Sequence, residues 1–458
     1  MPPQSYAPPA VDVGRQIDEG DWGRYQRWLI ALTALTIVFD GIDNQLLGVA
    51  IPAIMHEWSV PRAAFAPIVS IGYAGLMVGG ALASVAGDRV GRRTALLTSM
   101  LLFGAMTAAA AFAGSPWHLT VVRFLAGAGL GGAIPNATTL AAEFVPRRHR
   151  PVAVTLTIVC VPLGATIAGL LGIRVLPLIG WRMLFAIGGV IPVLCALALL
   201  RLLPESPRYL ARHPQRWHEL ARTLARMGHA TPDGATFVDG AESTAPQASI
   251  GTLFSPDLRL DTLALFAAFA SCLLAVYMGF SWLPALLTNA GFPAATASLG
   301  ITVFNLGGVV GALAGSVVIG GMGSRVPMLA MAAGAVAGAV VLGTMSIDAS
   351  HPVLPILVML TITGGLINAV QTTMYALAAH VYPSPVRATG VGAAASVGRV
   401  GAILSGYAGA VAIDYGGSAS YFWVIAAAMG GTFVALASVR RHVPRATRAR
   451  QGWSAAAE

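Results

Sequence analysis

This sequence predicts an all-α membrane protein with twelve transmembrane helices in two pseudo-symmetric six-helix bundles. Three observations carry that expectation. The 458-residue chain is 56% hydrophobic and only 10% charged, with a mean hydropathy of +0.72, whereas soluble domains carry about 25% charged residues. Twelve apolar runs are each long enough to cross a bilayer. The one long polar interruption, 204–260, falls after the sixth run and before the seventh.

The runs lie at about 28–51, 64–86, 94–114, 118–144, 152–174, 181–203, 261–288, 296–320, 326–346, 353–379, 388–413 and 419–439. They divide the chain into a cytoplasmic tail (1–27), a first bundle (28–203), a cytoplasmic central loop (204–260), a second bundle (261–439) and a second cytoplasmic tail (440–458). The 53 glycines are concentrated in the runs, as close helix packing in lipid favours. The head, MPPQSYAPPAVDVGRQIDEGDWGRYQ, lacks the apolar core of a cleavable signal, so the first run is expected to be an uncleaved anchor. In the central loop, RHPQRWHELARTLARMGHA suggests a short amphipathic helix, and the remainder reads as linker.

Charge placement sets the orientation. All 28 basic residues are arginine. With both termini in the cytoplasm, only Arg62, Arg174 and Arg182 fall in outside loops or at the run ends beside them, and only Arg123 and Arg399 fall well inside runs. That asymmetry follows the positive-inside rule. The net charge of +9 is therefore a topology signal rather than a nucleic-acid surface, and the expected location is a bacterial inner membrane. Cys160, Cys195 and Cys272 all fall within runs, which points to free thiols.

The two halves repeat. AAEFVPRRHR (Ala141–Arg150) and AAHVYPSPVR (Ala378–Arg387) both close the fourth run of their half. GDRVGRR (Gly87–Arg93) follows the second run, and a degraded GSRV (Gly323–Val326) follows the eighth. Internal repeats of this kind are an architecture of secondary transporters.

Chemistry is expected where charge enters an apolar run. Asp40 and Asp43 share one helical face of the first run. Counted from Trp28, Asp40 is roughly 18 Å in. Two like charges this close in a low-dielectric medium favour retention of a proton. Arg123 lies at a depth, roughly 9 Å from the outer end of its run, that lets it meet them if the helices adjoin. A buried arginine keeps its charge and grips carboxylates with two prongs. The trio is either an ion pair remade with protons and cargo, or a permanent structural pair or water-facing residues, and intramembrane charges default to function. Arg399, roughly 16 Å into the eleventh run, suits the carboxylate of an anionic cargo; the alternative is a structural pair, for instance with Asp414.

Further candidates are uncharged or peripheral. Tyr277, Asn305, Gln371 and Tyr375 are expected to line a binding site for an aromatic ring, with Asn136, Asn368, Phe280 and Phe304 as further possibilities. Trp282, Phe422 and Trp423 suit interfacial anchors. At the cytoplasmic side, Asp88, Arg89, Arg92, Arg93, Glu143, Arg150 and Arg387 form a candidate gate. Asp88 would bind a facing helix N-terminus and pair with arginine, and Glu143 would pair with Arg147 or Arg150; the alternative is a plain basic loop. His380, at a helix end, is a titratable or simply solvated group.

GDRVGRR resembles the signature loop G-x-x-x-D-R-x-G-R-R of the major facilitator superfamily, with Ser84 at the leading glycine and Ser324 in place of the aspartate in the second copy. Within that superfamily the chain resembles the aromatic acid:proton symporters. The shared residues are DGID (Asp40–Asp43), RFLAGAGLGGAIPNATTLAAEF (Arg123–Phe144), LPESPRYL (Leu203–Leu210) and YPSPVRATGVGAAASVGRVGAIL (Tyr382–Leu404). The resemblance implies the major facilitator fold, import of a small hydroxybenzoate-like acid with protons, and a transport-essential role for Asp40, Asp43 and Arg123. Partners are then the aromatic acid, protons and lipid, for a chain acting as a monomer.

No enzyme motif or cofactor is expected. A P-loop needs a lysine the chain does not have, and Ser206 lacks a G-x-S-x-G setting. H-E-x-x-H metal spacing is absent. Two alternatives stand. One is a sugar, organic-ion or drug porter of the same superfamily; PESPRYL occurs in sugar-porter-like chains, but SVRRHVPRAT at the end of the last run lacks their PETKG-like sequence. The other is a transporter-like sensor, for which the 204–260 loop is short of a usual signalling domain.

Overall fold

In the computed structural model, residues 10–229, 231, 232, 234–239, 250–383 and 386–445 are described. Arg448, Arg450, Ser384, Pro385 and part of the central loop lie outside the described residues.

After a short strand β1 (Ala10–Asp12) come helices α1 (Val13–Asp18), α2 (Arg24–Trp58), α3 (Phe65–Val90), α4 (Arg92–Ala110), α5 (Pro116–Glu143) and α6 (Arg150–Leu202). The middle of the chain forms α7 (Pro207–Ala211), α8 (Trp217–Arg226) and strand β2 (Thr236–Val238). Then follow α9 (Arg259–Asn289), α10 (Ala294–Met322), α11 (Arg325–Thr344), α12 (Val353–Val381) and α13 (Arg387–Ser438).

Among the described residues, ten helices are long and apolar enough to cross a membrane. Two of them exceed a single crossing. With 53 and 52 residues, α6 and α13 would each run roughly 80 Å if straight, against a hydrocarbon core about 30 Å thick. Each is broken at glycine. Gly180 has φ 78° and ψ 176°, a region open essentially to glycine alone, and Gly416–Gly417 break α13. The breaks fall between the fifth and sixth and between the eleventh and twelfth predicted runs, so the helices supply twelve segments.

The chain divides into two compact units. One holds the chain to Pro246 with Pro293–Thr302, and the other holds Gln247–Phe292 and the chain from Val303. Within the first, α2 packs on α6, and α3 and α4 pack on α5; within the second, α9 packs on α13 and α11 on α12 and α13. The same contacts recur in each unit because small residues recur at the crossings. A Cβ on Gly79 of α3 would lie 1.9 Å from the Ala128 carbonyl oxygen of α5, and one on Gly311 of α10 would lie 2.1 Å from that of Gly365 on α12. Gly41 of α2 is pressed against the Val161 carbonyl of α6 in the same way, at 2.1 Å, as Gly401 of α13 is against Ala270 of α9, at 1.9 Å. Backbone this close admits no side chain. Gly41→Val is expected to abolish monodisperse protein on size-exclusion chromatography in detergent; a wild-type elution profile would show that the α2–α6 crossing can open.

The central loop differs from its expected form. Helix α8 is the expected amphipathic helix, but the following segment is more than linker: β2 pairs in parallel with β1, Ala10 opposite Thr236 and Asp12 opposite Val238. Three-residue strands carry almost no periodic signal, and this pairing joins segments more than 220 residues apart, so local sequence could not announce it. Val13, Ile17, Leu210, Leu220 and Leu224 are fully buried and continuous with the core around Leu96, Phe103 and Leu140. The amino-terminal tail and central loop thus form a layer on the first unit. Elsewhere the helices turn Leu82, Leu178 and Val317 outward, as lipid-facing residues must.

Candidate functional site

Asp43 is the meeting point of three helices. It is 0% exposed on α2, Thr107 is 0% exposed on α4, and Arg123 is 5% exposed on α5. Arg123 Nη1 donates to Asp43 Oδ2 at 3.2 Å, and the Thr107 hydroxyl donates to Oδ1. The expected ion pair therefore exists, but not as a two-pronged grip: one carboxylate oxygen is taken by the threonine. Among the described residues, Arg123 Nε is buried with no hydrogen-bond partner. The arginine keeps donor capacity in a place where unused donors are costly.

Asp40, one turn earlier, is also fully buried. Its Oδ2 accepts from Asn44 Nδ2 at 3.3 Å, and the same amide donates to the Asp40 carbonyl at 3.1 Å. The two acids are thus held by different groups, one by arginine and threonine, the other with an amide among its partners. Sequence reading missed Thr107 and Asn44. Asn44, four residues after Asp40, carries a local helical signal; Thr107 carries none.

In the second unit, Arg399 is half-buried on α13 and sits within electrostatic reach of the Tyr375 hydroxyl on α12. Tyr375 packs edge-on to Phe269 of α9, ring centroids 5.1 Å apart. Gln371 is half-buried one turn before Tyr375 and so shares its face. Tyr277 packs edge-on against Phe280 at 5.7 Å, and Asn305 is completely buried on α10. Asp414 shares α13 with Arg399, and fifteen residues of helix hold the two roughly 22 Å apart along the axis, so the pairing weighed from sequence does not form. Asn136 ties α5 to α3, its Nδ2 donating to the Ala83 carbonyl as well as to that of Gly132 on its own helix, whereas Asn368 Nδ2 turns back to the Gly364 carbonyl of α12. Trp282 and Phe422 are buried in the core rather than placed as interfacial anchors, whereas Trp423 is exposed.

The cytoplasmic cluster is arranged differently from expectation. Asp88 is exposed and pairs with Arg92 one turn on. The carboxylate at a helix N-terminus is instead Glu205, from the LPESPRYL segment. Buried at 2% exposure, it accepts from the Arg93 and Thr94 amides at 2.8 and 3.3 Å and from Ser206 N at 2.9 Å. This caps the start of α4 and complements its dipole. Glu143 accepts from the Ser206 hydroxyl and faces Arg92 Nε at 4.0 Å; it does not pair with Arg147 or Arg150. Arg150 turns to Asp18 of the amino-terminal tail and donates to the Ala142 carbonyl at 3.0 Å. Arg93 donates to the Leu200 carbonyl, while Arg89 is exposed and its carbonyl accepts from the Tyr209 hydroxyl at 3.2 Å. His380 is exposed at the end of α12. Glu205→Ala is expected to lower stability by on the order of 2 kcal/mol, read as a lower melting temperature in detergent; an unchanged melt would remove the capping role.

The second unit repeats part of this stitching. Arg387 Nε donates to the Tyr382 carbonyl at 3.3 Å, as Arg150 does to Ala142. Where Glu205 returns from the end of α6 to the α3–α4 junction, Val443 returns from the end of α13 to the α10–α11 junction, exchanging bonds of 3.0 and 2.8 Å with Ser324. The serine that replaces the signature aspartate thus holds the chain leaving the last helix. Cys160, Cys195 and Cys272 are free thiols.

Comparison with known proteins places these features. The sequence profile described as Major Facilitator Superfamily matches residues 33–406 and again 265–457. A gallate transporter of Pseudomonas putida is 34% identical over 89% of this chain and 90% of its own. The 4-hydroxybenzoate transporter PcaK of Acinetobacter baylyi is 33% identical over 90% of both chains. A benzoate transport protein of the same organism is 30% identical over 86% of this chain and 85% of its own. Among solved structures, a D-xylose-proton symporter superposes with a TM-score of 0.70 at 17% identity, covering 92% of this chain and 98% of the other.

Proposed function

This chain belongs to the Major Facilitator Superfamily and, within it, to the aromatic acid transporters, and from that premise we propose that it imports a small hydroxybenzoate-like carboxylate together with one or more protons by alternating access. As a member of that family it is a multi-pass membrane transporter and not an enzyme. The observation that carries the reading is the buried Asp43–Arg123 pair with its Thr107 bond. Charge inside a bilayer is retained where it is used.

In the proposed cycle, Asp40 and Asp43 take up a proton from outside, which loosens the hold of Asp43 on Arg123. The cargo carboxylate meets Arg399, and its ring rests on Tyr375, Tyr277, Gln371 and Asn305. Neutralising buried charge lowers the cost of closing the site to water. The cytoplasmic cluster of Asp88, Arg89, Arg92, Arg93, Glu143 and Arg150, with Arg387 in the second half, then rearranges as the cargo leaves. The arginine asymmetry supports cytoplasmic termini and an inner-membrane location, and a monomer suffices for the cycle.

Uptake of labelled 4-hydroxybenzoate by whole cells, with and without a protonophore, tests the coupling. Uptake is expected to collapse with the protonophore; uptake that ignores it refutes proton coupling. Competition by benzoates but not by sugars or cationic drugs is expected to separate this reading from a porter for other cargo.

A further inference from the structure

Among the buried threonines of the described residues, Thr107 is set apart by its partner, a carboxylate on another helix; Thr262 reaches the Leu253 carbonyl before its helix, and Thr363 has no bond. Thr33, Thr157, Thr166, Thr302, Thr373 and Thr432 each turn the hydroxyl back to the carbonyl four residues earlier on their own helix. Thr107 instead reaches from α4 to Asp43 on α2. Ser and Thr hydroxyls ordinarily satisfy themselves on the local backbone, so a threonine that spends its donor on a carboxylate across a helix interface is placed there by the fold.

A hydroxyl can serve both states of a carboxyl group, because it has one donor hydrogen and two acceptor lone pairs. We propose that Thr107 is the positioning residue that sets how readily Asp43 exchanges its proton, donating to the ionised carboxylate and accepting from the protonated acid. When a proton reaches Asp43 Oδ1, the new O–H donates to Thr107 Oγ1. The threonine hydrogen then swings to the Phe103 carbonyl, the position its counterparts on other helices already use. The proton added stays on Asp43 and no other bond breaks. Arg123, still singly bonded to Oδ2, is left facing a neutral acid.

Among the described residues, the helices packed around Asp43 bring few charged or titratable groups. Asp40 shares its helix, Arg123 comes from α5, and Tyr73 lies on α3 beside Gly72, which packs at Arg123. From α6, pressed on α2 through Gly164, comes Cys160, whose thiol is bonded to the Leu156 carbonyl at 3.2 Å. Helix α4 brings Thr107 itself, and its charges Arg92 and Arg93 sit at the opposite end. Removing one donor to the ionised form is therefore not masked by a crowd of other charges.

For its transport consequence the inference rests on the proton-coupled reading. Thr107→Val keeps the shape and removes the hydroxyl, and Thr107→Ser restores it. Infrared titration of purified protein, with the protonated-carboxyl band assigned to Asp43 by its loss in Asp43→Asn, reads the proton directly. In Thr107→Val the band is expected to persist to higher pH by roughly one to two units, the worth of one hydrogen bond to a charged group. The pH profile of uptake is expected to move the same way, and Thr107→Ser is expected to follow wild type. A band and profile unmoved in Thr107→Val, moved toward acid, or an Asp43-dependent band absent from both proteins at every pH would overturn the proposal. Wild-type uptake that ignores a protonophore would instead remove the coupling reading, and the band would still decide the role of Thr107.

Discussion

Asp43→Asn is expected to leave cargo equilibrating across the membrane without accumulating. Asparagine fills nearly the same space and can still accept from Arg123 through its one oxygen while its NH2 donates to the Thr107 hydroxyl, but it binds no proton at working pH. Each coupled proton multiplies accumulation by about ten per pH unit of gradient, so the loss is at least tenfold at a one-unit gradient. The substitution also leaves the Arg123 guanidinium without its counter-charge in a site where it is 5% exposed. Breaking a buried pair from one side costs about 3–5 kcal/mol, so poor folding could mimic lost coupling. The double variant Asp43→Asn/Arg123→Gln removes both charges and is expected to recover expression and melting temperature but not accumulation. Proteoliposomes with an imposed pH gradient measure it. Accumulation at wild-type level by either well-folded variant would take Asp43 out of the coupling step.

The same site shows what sequence conveys and what it withholds. Charges in apolar runs are legible because the bilayer makes them expensive: Asp40, Asp43, Arg123 and Arg399 needed only hydropathy and helical rise to be located. The twelve segments were legible for the same reason, down to the breaks near Gly180 and Gly416–Gly417. Depth along the helices even made the Asp43–Arg123 contact an expectation. Thr107 was not legible, because a threonine in an apolar run most often bonds its own backbone, and only the fold distinguishes one that reaches a carboxylate on another helix. The cytoplasmic cluster marks a second limit. Asp88 belongs to the recognisable loop, yet the carboxylate that caps α4 is Glu205, 112 residues from the amide it binds. Both acids suit a helix N-terminus chemically; which one arrives is decided by the path of the chain after α6. The β1–β2 pairing was invisible on similar grounds, since its strands are too short to show alternation.

Arg399→Ala is expected to weaken binding of a hydroxybenzoate by roughly a hundredfold or more, the usual result of truncating one partner of a buried charge pair. Arg399→Lys keeps the charge but loses the planar fork that fits a carboxylate, so an intermediate loss is expected. Elimination among the described residues of the second unit leaves Arg399. An anion carried into an apolar interior needs a cation or a proton; Arg399 is the cation that shares the middle of that unit with half-buried Tyr375 and Gln371, and its neighbour in sequence with opposite charge, Asp414, is held out of reach by the rigidity of α13. Calorimetric titration in detergent with 4-hydroxybenzoate and with its uncharged amide separates anchoring from fold support. If Arg399 grips the carboxylate, the acid loses affinity in Arg399→Ala while the amide binds both proteins alike. If Arg399 only supports the α12–α13 contact, acid and amide weaken together and the melting temperature falls with them. Full affinity for the acid in a well-folded Arg399→Ala would return the search for the anchor to Arg123, an intramembrane cation whose Nε is buried without a partner among the described residues.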